Sequence, residues 1–407
     1  MGDPKKRRRA VIDLEHFFLD CFPEYNHIIH DGSLSPPSYL SEIKWDAILI
    51  GSTFLCKVVH PEEFAKAKKD FSWIKDSESI KFAFPQDDYY CSNILDQWMV
   101  DWNIDFVYSV LFEHRETLYP KYMRHGEIRK GFTAYIKNSW IEKWKNPKKI
   151  GDRSIDISYR SSNLGAYCGT VGFIKGNIGN IFKNKTKDLN LNIDISSDEK
   201  DAIPGDQWHE FMENSKFCLA TPSGSSLLDP NGDLRKKITD YVKENPKKNF
   251  FEISQYCFPG QDKKYNFTAL SPRNLEAALC ETVQIATIGN YSDLMQPYED
   301  YIPLDEDCSN IEEVLKLIND KEICRKIAKN FKAKILNTPE LYLNNHANEV
   351  NQTIIKYKQK HLIVSDDLIR LRNYKKFERT NLKVFWLIYS FKQYIKLIIK
   401  YLFYKKI

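Results

Sequence analysis

The chain has 407 residues, 42% apolar and 14% aromatic, enough to bury more than one core, because single cores stop growing at roughly 250 to 300 residues. Charged residues make up 28% with ordinary Gly and Pro, which excludes a disordered, collagen-like or low-complexity chain. The net charge of +5 is uneven: residues 370–407 hold eleven Lys/Arg against Glu378, residues 1–9 hold five against Asp3, and the body between is nine charges negative. An acidic body argues against a protein that wraps nucleic acid and leaves the basic C-terminus to meet an anionic surface.

Nine cysteines without a CxxC pair or a metal-like Cys/His spacing read as reduced thiols. Asp13, Glu15 and Asp20 interrupt VIDLEHFFLDC, so no signal-peptide core follows the basic start and a cytoplasmic chain is expected. KKRRR reads as a basic lead-in to a first strand rather than as a targeting run.

WDAILIGS (45–52) is a strand, PEEFAKAKKDF (61–71) a helix, SIKFAFPQDDYY (79–90) a strand running into a polar loop, SNILDQWMVDW (92–102) a helix and IDFVYSVL (104–111) a strand. Unbroken apolar strands between helices predict a parallel sheet covered on both faces. The pattern restarts after EKWKNPKKIGDRS (142–154) with the strand IDISYR (155–160), a Gly-punctuated stretch to Phe182, the strand LNIDIS (191–196), the helix GDQWHEFMENS (205–215) and the strand KFCLAT (216–221). A long insertion, a helix from Pro272, the strand TVQIATIG (282–289) and helices to about 360 complete it. Two Rossmann-like halves are expected, residues 1–150 and 151–365, followed by a basic aromatic helical tail, 366–407.

Ligands of such sheets bind beyond the carboxyl ends of the strands. In SPRNLEAAL, Ser271 suits the N-cap and Pro272 the first helical position, which puts Arg273 and Glu276 on one helix face. That pair reads either as a surface ion pair or as a cation for phosphate oxygens with a carboxylate for the two ribose hydroxyls. Ser223 and Gly224 of TPSGSS offer N–H and hydroxyl groups at a strand end, or an ordinary turn; Asp229 beyond them reads equally as a turn former. In PQDDY, Asp87 or Asp88 could deprotonate an acceptor hydroxyl, or the two could cap the next helix. Consecutive strand residues point to opposite faces, so one of the two enters the cleft. His114 and His209 are further bases on this reading, or structural histidines.

Together DISYRSSNLGAY, GDQW (205–208), TPSGSSLLDPNGDL, SPRNLEA and YEDYIPLDEDCSNIEEV, with PQDDY in the first half, resemble bacterial glycosyltransferases of GT-B architecture, a family-1-like group of capsule and O-antigen biosynthesis, over residues 45–335. The resemblance implies two Rossmann-like domains facing a cleft and metal-independent hexosyl-type transfer from a nucleotide sugar, without a cofactor, onto a lipid-linked or growing saccharide. It assigns Glu276 to the ribose, Arg273 to the diphosphate, and Arg160 and Lys175 to neutralisation of the leaving group; these last two read otherwise as a strand-end salt bridge and a solvated lysine. The acid that many retaining members carry ahead of the ribose carboxylate is missing, Ala269 standing seven residues before Glu276, and some forty residues separate PSG from SPR.

In the tail, Lys392, Lys396 and Lys400 form one helical stripe among Trp386 and other apolar residues, and the longest uncharged run is eight residues, Val384 to Phe391, far short of the ~20 that span a bilayer. It reads as an interfacial helix that holds the protein to the inner membrane face, or as a helix docked on the first domain. A non-catalytic nucleotide-sugar-binding or scaffold protein is the alternative function.

Overall fold

The computed structural model describes residues 9–203, 205, 207–357, 366–378 and 380–381. In the first half, β1 (Ala47–Ile50), β2 (Ile80–Ala83), β3 (Phe106–Ser109) and β4 (Glu127–Lys130) form a parallel sheet in the order β1-β2-β3-β4. Every residue of β2 and β3 is buried, Lys81 of β2 included, as expected of strands covered on both faces. The edge strand β4 has the sequence EIRK and no buried residue, so no apolar run announced it.

The second half contains β5 (Ile155–Arg160), β6 (Ile193–Ser196), β7 (Ser215–Ala220), the short β8 (Ser223–Ser225) and β9 (Phe267–Ala269), β10 (Val283–Thr287) and β11 (Ile302–Leu304). Five of them make a parallel sheet in the order β11-β10-β7-β5-β6. From β5 the chain steps outward to β6, then returns to place β7 on the other flank. Strand order therefore reverses between β5 and β7, and a crevice opens at the carboxyl ends of strands flanking such a reversal. The two parallel sheets, each with its own helices, form the expected pair of Rossmann-like halves.

The connection between the halves is fixed by Arg153, whose guanidinium is buried and donates to the carbonyls of Lys148, Ser215 and Cys280 and to Thr282 Oγ1 at 2.6–3.0 Å. Helix Leu343–Tyr357 crosses back onto the first sheet. There Ile136 exchanges main-chain hydrogen bonds with Leu341 and Leu343 at 2.7 and 3.0 Å, and Tyr108 Oη donates to Glu349 at 2.9 Å. His346 of this helix stacks on Tyr135, ring centroids 4.3 Å apart, and burial drives its pKa down to about 3.

Where a first strand was expected after the basic start, Arg9–Cys21 is a helix. Its acids do not break it, because Asp13 turns inward and is paired with Lys137 at 2.5 Å. Residues 366–378 are helical, and Tyr374 packs with Leu40 and Ile43 of the first half. Trp386, Lys392, Lys396 and Lys400 lie outside the described residues. Among the described residues no helix is long and apolar enough to cross a membrane, and all nine cysteines are free thiols.

Candidate functional site

Arg273 stands at the strand ends beside the β5/β7 reversal, where the strand-order rule places a ligand. Ser271 caps its helix, Pro272–Leu279, with a capping box in which the Asn274 side chain answers the N-cap backbone, and Pro272 costs nothing at a position whose N–H has no helical partner. This start aims Arg273 back at the strand ends. Its guanidinium sits over the rings of Tyr159 and Trp208, each 5.3 Å away, and donates through Nη2 to the carbonyl of Arg160, the last residue of β5. Its Nε is buried and has no hydrogen-bond partner among the described residues.

Lys175 and Ser223 meet at the same crevice, Nζ donating to Oγ at 2.9 Å. Tyr159 joins the two sides, since its ring lies under Arg273 and its hydroxyl donates to the Lys175 carbonyl at 2.8 Å. Gly224 follows Ser223 with φ +138°, and a Cβ there would collide with the carbonyl oxygen of Phe267. Glycine lets β8 lie against β9, which sets Ser223 opposite Ala269. The ladder closes the long insertion at its base, so PSG and SPR are neighbours despite the residues between them.

Glu276 lies one turn deeper and is 5% exposed. Oε2 accepts the indole N–H of Trp208 at 2.6 Å, and Oε1 is 3.9 Å from His209 Nε2. Burial pushes the carboxyl up to about 7, against the Trp208 hydrogen bond and the Arg273 charge, which favour ionisation. His209 is buried against Trp140 and Trp144. Trp208 thus stands between Arg273 and Glu276, touching both, so the two do not form the surface ion pair of the simpler reading.

Arg160 is turned elsewhere. Its guanidinium donates to Asp194 Oδ1 at 2.7 Å and to the carbonyls of Tyr159, Asp194 and Asp201 at 3.0 Å, and it stacks on Phe211. Asp194 belongs to β6, on the side of β5 away from β7, so Arg160 makes the strand-end salt bridge and its side chain is not a crevice cation. Correction of that expectation has a simple cause: a guanidinium at a strand end satisfies several carbonyls at once, and an acid on the neighbouring strand holds it there.

In the loop and turn that follow β2 the two acids part. Asp88 is completely buried, Oδ2 accepting from Ser109 Oγ at 2.6 Å and Tyr119 Oη at 2.7 Å, and burial raises its pKa to about 6. It is enclosed within the first half and faces no cleft, which removes it from the acceptor-side pair. Asp87 is exposed, accepts from Tyr89 Oη at 2.9 Å, and lines a pocket of about 220 Å³ with Leu55, Val58, Pro85, Tyr90 and Arg235.

The insertion forms helices Asp233–Glu244 and Phe250–Cys257 over a small core of Leu227, Ile238, Ile253 and Phe258. Asp229 is the turn former, its carboxylate accepting from the N–H groups of Gly232, Leu234 and Arg235 at 2.8–3.2 Å. Its backbone crosses to the first half, where the Asp229 N–H donates to Tyr89 at 3.0 Å and the Cys91 N–H donates to Asp229 at 2.7 Å. Arg235 consequently reaches the Asp87 pocket, its guanidinium carbon 4.5 Å from the ring centroid of Tyr167 and 5.3 Å from that of Tyr90. Sequence reading missed Arg235, one of three successive cations in a helix whose partner surface is far away in the chain. His114 pairs loosely with Glu113 at 3.9 Å and packs edge-on to Tyr265 and Phe267. Among the described residues no group of three or more His, Cys, Asp or Glu side chains could hold a metal ion.

No protein-family model matches this chain, and no curated protein matches it. Solved structures do. Anabaena HepE in complex with UDP-glucose is similar at 13% identity over 86% of this chain and 98% of that one, with a TM-score of 0.42. T4 phage BGT in complex with its UDP-glucose substrate is similar at 12% identity over 88% and 98%, with a TM-score of 0.45. TarM is similar at 9% identity over 78% of this chain, with a TM-score of 0.41, and the chain spans 56% of its length.

Proposed function

We propose that this protein is a glycosyltransferase that moves a sugar from a nucleoside-diphosphate donor onto a hydroxyl of a saccharide acceptor. The observation that carries the reading is the meeting, at the strand-order reversal, of Arg273 at a capped helix start with the Lys175–Ser223 pair. As the bond between the sugar and the diphosphate breaks, charge accumulates on the phosphate oxygens, and fixed cations and N–H groups lower the barrier by meeting it. Arg273 and Lys175 take that role, with the hydroxyl and N–H groups of Ser223 and Gly224 beside them, and no metal ion is invoked. Asp87 accepts the proton of the attacking hydroxyl. Glu276 holds the ribose, which requires the ribose hydroxyls to replace Trp208 as hydrogen-bond donors. On this reading the acceptor is a lipid-linked or growing surface polysaccharide, and the basic tail keeps the enzyme at the inner membrane face.

A thermal-shift screen against UDP, GDP, CDP and ADP sugars tests the reading, because a ligand that binds the folded state alone raises its stability with occupancy. At least one nucleotide sugar should raise Tm, and Arg273→Ala should remove the shift and the turnover while its melt stays cooperative. Binding without release of nucleoside diphosphate across a panel of acceptors would favour a non-catalytic nucleotide-sugar-binding protein instead.

A further inference from the structure

The pocket at the end of β2 is walled largely by apolar side chains, Leu55, Val58, Val59, Pro85 and Leu95 among them, and two of its lining residues are charged, Asp87 from the first half and Arg235 from the insertion. Arg235 is half-buried. Its guanidinium carbon lies 4.5 Å from the ring centroid of Tyr167 and 5.3 Å from that of Tyr90, and among the described residues it makes no ion pair of 4 Å or less and no side-chain hydrogen bond. Contact with two aromatic rings holds the guanidinium without occupying its N–H donors, and a planar fork binds carboxylate or phosphate oxygens in pairs. A half-buried cation beside apolar walls lacks the full solvation of water, which an arriving anion replaces.

We propose that this pocket is an acceptor subsite for an acidic sugar, with Arg235 holding a carboxylate or phosphate group of the ring that presents its hydroxyl to Asp87. The inference rests on the glycosyltransferase reading for the word acceptor, and on the pocket alone for the acid. Its volume of about 220 Å³ is below the roughly 300–1,000 Å³ of drug-sized sites, which suits one sugar ring with its acidic group. The two charged residues have separate tasks. An anion is drawn to the cation on the insertion, which keeps it apart from the carboxylate across the pocket and fixes which hydroxyl faces Asp87.

Titration calorimetry of the full chain with methyl glucuronide, glucose 6-phosphate and neutral methyl glucoside tests the proposal, with UDP titrated in parallel. At least one acidic ligand should bind tenfold or more tighter than the glucoside, and comparison of the two acids identifies whether carboxylate or phosphate is preferred. Arg235→Gln should erase the preference, Arg235→Lys should keep part of it, and UDP affinity should hold in both variants. Equal binding of acidic and neutral sugars, or a preference that survives Arg235→Gln, overturns the proposal. A parallel loss of UDP affinity in Arg235→Gln also overturns it, because it assigns the guanidinium to the donor phosphates. Wild-type protein that ignores every nucleotide of the thermal-shift screen yet shows an Arg235-dependent acid preference sinks the glycosyltransferase reading, and with it the acceptor role, while supporting an acid-binding pocket at Arg235.

Discussion

The indole N–H of Trp208 and the buried carboxyl of Glu276 are joined by a 2.6 Å hydrogen bond, across a wall that also carries the Arg273 guanidinium. GDQW and SPRNLEA, more than sixty residues apart in sequence, are therefore one structural unit. Its protonation has a measurable sign.

Burial lifts Glu276 from an ordinary 4.5 to about 7, so the folded chain holds a proton that the unfolded chain has released. Stability from this group is complete below the unfolded value and is lost as pH rises from about 4.5 to 7. The loss is on the order of 1–3 kcal/mol. Asp88, raised to about 6, acts in the same direction. Urea melts between pH 4.5 and 8 should show stability falling through this window, and Glu276→Gln, which keeps an acceptor for Trp208, should flatten most of the fall. An unchanged slope in the variant would remove Glu276 as its source.

Asp87 and Asp88 should separate cleanly. Asp87→Asn is expected to lower transfer about 100-fold, the scale of a lost general base, with Tm unchanged. Asp88→Ala strands two buried hydroxyls, those of Ser109 and Tyr119, and should cost roughly 2–3 kcal/mol. Chemical denaturation and initial rates on both variants are the check, and the reverse pattern would exchange their roles.

Gly224→Ala is expected to destabilise by about 3 kcal/mol or more, since φ +138° is strained for alanine and its methyl collides with the Phe267 carbonyl. Limited proteolysis should then cut within 226–266 in the variant and should spare that segment in the wild-type chain. A variant as stable as the parent would mean that the β8–β9 ladder does not hold the insertion.

A chain ending at Lys383 should lose flotation with anionic vesicles while keeping nucleotide binding, because basic and apolar groups act together in interfacial anchoring. Unchanged flotation of the shortened chain defeats the membrane role of Trp386, Lys392, Lys396 and Lys400.

The sheet interiors were legible because β2, β3, β7 and β10 are mostly apolar, with polar residues such as Lys81, Lys216 and Gln284 among them, the composition of a sheet covered on both faces. β4 and β11 were not, one being an exposed EIRK and the other three residues long. The helix start at Ser271 followed from local rules, since capping depends on neighbours in sequence. What Arg160 and Glu276 touch did not, because Asp194 and Trp208 reach them through tertiary packing. Strand alternation was the expected reason for Asp87 and Asp88 to part, but β2 ends at Ala83 and the two acids part in the loop and turn beyond it. Arg235 had no local signature at all, its meaning arising from Tyr90 across the cleft.

The main-chain bonds between Asp229 and residues Tyr89 and Cys91 have a mechanical consequence. They stitch residues 226–266 to the first half, although the chain enters and leaves that segment from the second. Any rocking of one half against the other must either rupture those bonds together or carry the segment with the first half. In the latter case the two chain crossings at β8 and β9 become the pivot, and Ser223, beside it, would travel least while the opposite rim swings.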